Sequence, residues 1–173
     1  MIVLIHFPPS CNEANGSIIC AFRGFKALHE FSISDEIKLK YEKNYQLPSK
    51  FIGMAIKRQP DEFIFLSLYD KTIRKVSLDG VIGFQTMQFI GIPRHVIFDE
   101  EFGILFVEDY LENKQTSIIK LIQISQDHWT EVQMSPFSSR PINVDCWEIL
   151  GGGRIAIVDF NSQTLFVLYY QYP

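Results

Sequence analysis

Three prolines, Pro48, Pro93 and Pro141, stand about 45 residues apart, and each opens the same succession of residues. The clearest copy runs from Pro93 to Asp109, PRHVIFDEEFGILFVED. An alternating apolar strand comes first, carrying Val96 and Phe98. An acidic turn and Gly103 follow. A second apolar strand, Ile104 to Val107, ends on Glu108 and Asp109. Another copy runs from Pro48 through FIGMAIK and EFIFLSL to Tyr69-Asp70. The last runs from Pro141 through INVDCWEI and RIAIV to Asp159. A period of this length belongs to one four-stranded propeller blade. The expected fold class is therefore all-β: a β-propeller-like array of about four antiparallel four-stranded blades, incomplete or closed into a small ring. The chain reads as one domain, 1–173, with units at about 1–46, 47–91, 92–139 and 140–173.

Composition agrees with strands. Fifteen Phe and seven Tyr supply flat rings for pleated faces, and no long stretch carries the apolar period of a helix. Net charge is −4 with no basic block, so binding to nucleic acid through its phosphates is not expected. No apolar run approaches the roughly 20 residues of a membrane-spanning helix. The first ten residues, MIVLIHFPPS, lack the basic start and the length of a secretory signal. Cys11, Cys20 and Cys146 show no metal-binding spacing, and an odd number argues against a disulfide framework. Cys20 and Cys146 lie in apolar strands and read as buried free thiols. A cytoplasmic or otherwise intracellular protein is the expectation.

Along the chain, Ile2 to Phe7 reads as a strand and Pro8 to Gly16, PPSCNEANG, as a loop. Strands follow at Ser17 to Phe22 and Ala27 to Ile33. A lysine-bearing outer strand runs from Ile37 to Tyr45. Glu62 to Leu68 is apolar without alternation, as in a strand buried on both faces. Thr72 to Leu78 alternates, and Asp79-Gly80 is a hairpin signal leading into Val81 to Phe89. Tyr110 to Thr116 reads as a loop, with strands at Ser117 to Ile124 and Trp129 to Met134. The last unit has Ile142 to Ile149, Arg154 to Asp159 and Thr164 to Tyr170, and no outer strand. Two arrangements fit the ends. In one, Ile2 to Phe7 pairs with Thr164 to Tyr170 and closes a four-bladed ring. In the other, favoured because four blades is the lower limit of known rings, the array belongs to a larger ring. A protein partner, or self-association through the end blades, then covers its faces.

PRHVIFDEEFGILFVED resembles the repeat of the YWTD propellers of lipoprotein receptors, with Phe106-Val107-Glu108-Asp109 standing where Tyr-Trp-Thr-Asp stands in that family. DKTIRKVSLDG, Asp70 to Gly80, resembles its continuation. NHL and SMP-30 (gluconolactonase-like) propellers share much of the pattern. The resemblance covers about 125 residues from Pro48 onward, and it implies a six-bladed ring, more than these repeats supply.

Candidate site residues are few. Arg94 and His95 begin an inner strand and are expected at the channel mouth, with Asn143 and Asp145 on the next inner strand. The gluconolactonase-like resemblance implies a divalent metal such as calcium. Asn143, Asp145, Glu148 and Asp99 would be the only inner-strand ligands, and no spacing singles out a site. No cofactor is therefore expected outside that resemblance. Glu108 and Asp109 point to opposite faces as strand neighbours and cannot share a substrate. Asp70, Asp109 and Asp159 hold equivalent positions and read as turn caps. Gly151-Gly152-Gly153 lacks the Lys-Ser/Thr of a phosphate loop and reads as a turn. His6, His29 and His128 are scattered, and Tyr169, Tyr170 and Tyr172 form an aromatic end. The function these features favour is a non-enzymatic protein-binding or scaffold module. The alternative is a metal-dependent hydrolase of the SMP-30/gluconolactonase or strictosidine-synthase-like type, using the central channel.

Overall fold

Alternating apolar residues between turn-forming pairs give hairpin after hairpin in the computed structural model of the chain. It describes residues 10–14, 17–33, 39–57, 63–77, 85–125, 128–132, 144–159 and 162–170. Fifteen strands are present among them, and no helix.

The first sheet holds β1 (Ser10–Ala14), β2 (Ser17–Ala21), β3 (Ala27–Ile33) and β4 (Leu39–Gln46). The second holds β5 (Phe51–Lys57), β6 (Phe63–Leu68), β7 (Thr72–Ser77) and β8 (Thr86–Gln88). The third holds β9 (Ile92–Asp99), β10 (Ile104–Leu111), β11 (Thr116–Ile124) and β12 (Trp129–Val132). The fourth holds β13 (Val144–Ile149), β14 (Arg154–Asp159) and β15 (Thr164–Tyr169). Every sheet is an antiparallel meander in chain order. The all-β array of four blades read from the sequence is therefore present.

Three apolar seams join the four sheets. Ile19, Ala21 and Leu28 of the first sheet pack on Phe51, Ile64 and Leu66 of the second. Phe65 and Ile73 of the second meet Phe98, Leu105 and Ile122 of the third. Phe106 and Leu121 of the third meet Ile155, Ile157 and Leu168 of the fourth. Strands β6 and β10 lie between two seams, and all six residues of β6 are buried. That is why Phe63 to Leu68 lack alternation. Among the described residues no apolar cluster joins the first sheet to the fourth.

Ser10–Ala14 is not a loop but the first strand of sheet one, in register with Ser17–Ala21. Its turn-forming residues are overridden by a complete cross-strand ladder. Glu108 and Asp109 do not end a strand, since β10 continues to Leu111. Cys20 is buried, but it is disulfide-bonded, and its partner in the strand register is Cys11. Cys146 is free as expected, yet exposed. Ile2 to Phe7, Asp79-Gly80 and Asn143 lie outside the described residues, so the ring-closing pairing of Ile2 to Phe7 does too.

Candidate functional site

The inner strands β5, β9 and β13 share an irregularity at their starting ends. In β9, Pro93 pairs with Asp109 and Val96 with Val107, so two residues, Arg94 and His95, face the single Glu108. In β5, Ile52 is the extra residue between the pairs Phe51–Leu68 and Gly53–Ser67. In β13 it is Asp145, between Val144–Asp159 and Cys146–Val158. These are β-bulges, which bend a strand and re-aim its side chains.

At β9 the effect is to bring neighbours in sequence to one side of the sheet. His95 Nδ1 lies 2.6 Å from Glu108 Oε2. Arg94 holds its guanidinium carbon 3.2 Å from the centre of the Tyr110 ring. Glu108 and Tyr110 alternate with Phe106, so all three stand on the face of sheet three that meets sheet four. Trp147 of β13 sets its ring edge-on to His95 at 6.3 Å between centroids. Expected as a channel-mouth pair, Arg94 and His95 are thus held side by side on the rim of the seam between sheets three and four.

The support beneath them is buried. Glu108 has no exposed surface, and neither does Ser117, whose hydroxyl donates to Glu108 Oε1. A carboxylate can only accept, so with ionised Glu108 the His95 Nδ1 carries the proton of the shared bond. His95 itself is 40% exposed in its side chain, which leaves Nε2 for an outside partner. The residues around the bulge are also pinned to sheet two. The Ser67 hydroxyl donates to the Pro93 carbonyl. Gly53 passes so near that an added Cβ would lie 3.2 Å from the Arg94 carbonyl oxygen.

Asp109 points the other way, as expected of the residue after Glu108. Its role is not a turn cap. Oδ1 accepts the Gly91 N–H at 2.9 Å, and Oδ2 makes no hydrogen bond, with Lys120 Nζ at 3.7 Å. Burial pushes its carboxyl above the usual carboxylate range, while Lys120 and the Gly91 N–H pull it down. Asp70 accepts the Thr72 hydroxyl at 2.5 Å and Asp159 the Ser162 hydroxyl at 2.6 Å, side-chain bonds and not bonds to the turn backbone. Gly151-Gly152-Gly153 is a turn, all three with positive φ.

A cavity of about 500 Å³ runs along β5, β9 and β13, between Met54, Val96, Trp147, Glu100 and Glu148. Of the residues implied as metal ligands, Asp99 is committed elsewhere. It is 3% exposed and accepts the Tyr170 hydroxyl on Oδ2 and the Glu101 N–H on Oδ1 at 2.9 Å. Glu148 is exposed at the cavity, and Asp145 is placed by its backbone at the β13 bulge. Among the described residues no three His, Cys, Asp or Glu side chains gather to hold a metal ion. Glu108 and Ser117 were missed as site residues, although the alternation along FVEDY already placed Glu108 opposite Asp109. The Arg94 and His95 bulge left no such signal.

No family model matches the sequence, and no curated protein matches it. Solved structures do. The WD40 β-propeller domain of Doa1 superimposes with a TM-score of 0.58 at 11% identity, covering 90% of this chain and 49% of that one. A protein from Lactobacillus plantarum gives 0.62 at 13% identity, covering 92% and 53%. The WD40 repeats of RRP9 give 0.52 at 11%, covering 90% and 48%. The fold is that of a β-propeller. The chain spans about half the length of the propellers and other solved structures it matches. At such identities the likeness is one of architecture, and the narrower YWTD, NHL or SMP-30 resemblance gains nothing from it.

Proposed function

We propose that this propeller array is a non-enzymatic protein-binding scaffold module whose partner contacts the rim at Arg94 and His95. Asp145, at the bulge of the adjoining strand β13, extends the proposed contact, with Asn143 two residues before it in sequence. The β9 bulge carries the reading. It sets a guanidinium and an imidazole side by side, each held from behind, by Tyr110 and by buried Glu108. Side chains fixed in this way lose little freedom on binding. A cation beside a free imidazole nitrogen suits an acidic or carbonyl-rich segment of a partner protein. Rigid display of short loops and rims is also the common use of propellers, a fold-level analogy. No nucleic acid or cofactor is part of the reading. The intracellular placement expected from free thiols loses that support at Cys20, because disulfides persist in oxidising compartments.

Selection of a displayed random-peptide library on the purified chain tests the proposal. Acidic peptides should be enriched and should be lost on a chain carrying Arg94→Glu and His95→Ala. Peptides retained by that double variant would refute the rim contact.

The cavity along the inner strands, with Glu100 and Glu148 on its wall, favours a second reading, a metal-dependent lactone hydrolase. Turnover of a lactone with calcium or zinc supplied, abolished by Asp145→Ala, would establish it in place of the first.

A further inference from the structure

The two ends of the array carry apolar faces where solvent-facing residues are expected. In β15 the buried side chains, Leu168 and then Tyr170 beyond the strand, face sheet three. The alternate residues Leu165, Val167 and Tyr169 face the other way, exposed at 62%, 42% and 74%. Their partners in register, Val158, Ala156 and Arg154, share that outer face. At the other end, Ile19, Ala21 and Leu28 face sheet two. The opposite face of sheet one therefore carries Phe22, His29, Phe31 and Tyr41. Their rings form a chain of edge contacts, with centroids 6.1 Å apart for Phe22–His29, 6.2 Å for His29–Tyr41 and 5.8 Å for Phe31–Tyr41. Phe22 is 38% exposed and Tyr41 51%.

We propose that two copies of this chain associate head to tail, the outer face of sheet four of each packing on the outer face of sheet one of the other. The result is one closed ring. Three observations favour a second copy as the occupant. Both faces are apolar, one aliphatic and one aromatic, and each resembles the surfaces buried in the three internal seams. The two faces lie at opposite ends of one array, so a contact between them is heterologous, and such contacts close into rings when the rotation permits. The four sheets fill about half of each matching structure, with 90% of this chain covering 49% of Doa1's domain. One further array of this length therefore completes a ring of that size. The proposal rests on the propeller fold and not on the rim contact.

Sedimentation equilibrium of the full chain at about 50 μM should give twice the chain mass of 20.1 kDa. Tyr169→Lys and Tyr41→Lys change exposed side chains on opposite faces. Each variant alone should be a monomer with an unchanged far-ultraviolet spectrum, its dimer weakened by about tenfold or more. An equimolar mixture keeps one intact pair of faces, so heterodimer should return. A wild-type monomer would overturn the proposal, as would a dimer surviving in either variant alone. Polymers lengthening with concentration would overturn closure. The peptide selection at Arg94 and His95 reads a different surface, so either proposal can fail without the other.

Discussion

The Tyr170 hydroxyl donates to Asp99 across 71 residues of chain, closing the seam between the third and fourth sheets. Asp99 is 3% exposed and Tyr170 6%, so neither oxygen has water to fall back on. The phenol is pushed well above its ordinary range, first by burial and then by the bond to Asp99. Its ring adds edge contacts to Phe106 at 4.9 Å and to Phe102 at 5.6 Å.

Tyr170→Phe keeps that ring and removes the hydroxyl. Asp99 Oδ2 is then buried without its donor, which costs about 1–3 kcal/mol. Urea unfolding should show a lower midpoint with an unchanged slope. An unshifted midpoint would mean that the seam does not depend on this bond.

His95→Ala should weaken the fold by a similar amount, about 1–3 kcal/mol, because Glu108 keeps only Ser117 as a partner. Nitrogen NMR of the wild-type imidazole should find the proton on Nδ1. A ring protonated only on Nε2 would contradict the bond to Glu108.

Asp109 makes a pH prediction with a definite sign. Its folded-state pKa lies above the ordinary 3.8, so the folded chain holds this proton more tightly than the unfolded chain. The stability it contributes is present below that ordinary value and is lost as pH rises through the folded value. Glu30 has the opposite sign. The Tyr45 hydroxyl bond, chiefly, lowers it below 4.5, so its contribution is present at neutral pH and is lost in acid. Comparing urea midpoints of wild type and Asp109→Asn between about pH 3 and 7 isolates the first effect. The wild type should lose ground to the variant as pH rises, and parallel curves would refute the shift.

Gly91→Ala should cost about 1–3 kcal/mol or more, since the new Cβ would collide with the Tyr110 carbonyl oxygen. Gly153→Ala should be at least as damaging, with φ of +68° and the Tyr170 carbonyl in the way. Gly24→Ala is the control: φ is +86° but nothing lies within 4 Å, so only backbone strain is felt. Thermal melts should rank Gly24→Ala as the mildest.

Much of this architecture is legible in the sequence because propeller blades are local. Each hairpin partner is the next strand, so spaced prolines, glycines and apolar runs report the topology directly. Phe63 to Leu68 declared its two-sided burial by lacking alternation. What stayed hidden depends on partners chosen in three dimensions. Ser10–Ala14 has a loop's residues but finds a ladder in Ser17–Ala21. Cys20 reads as a free thiol, yet it is disulfide-bonded. A bulge is an offset between two strands, so nothing in Arg94 and His95 alone shows that both face Glu108.

The recurrence of that offset in β5, β9 and β13 has an evolutionary consequence. Each of these three strands already absorbs one unmatched residue at its starting end, without loss of register beyond it. Insertions and deletions of single residues there would be tolerated where elsewhere they would turn a whole strand inside out. Diversity among descendants of this chain should therefore collect as a crown of changing side chains on an invariant frame.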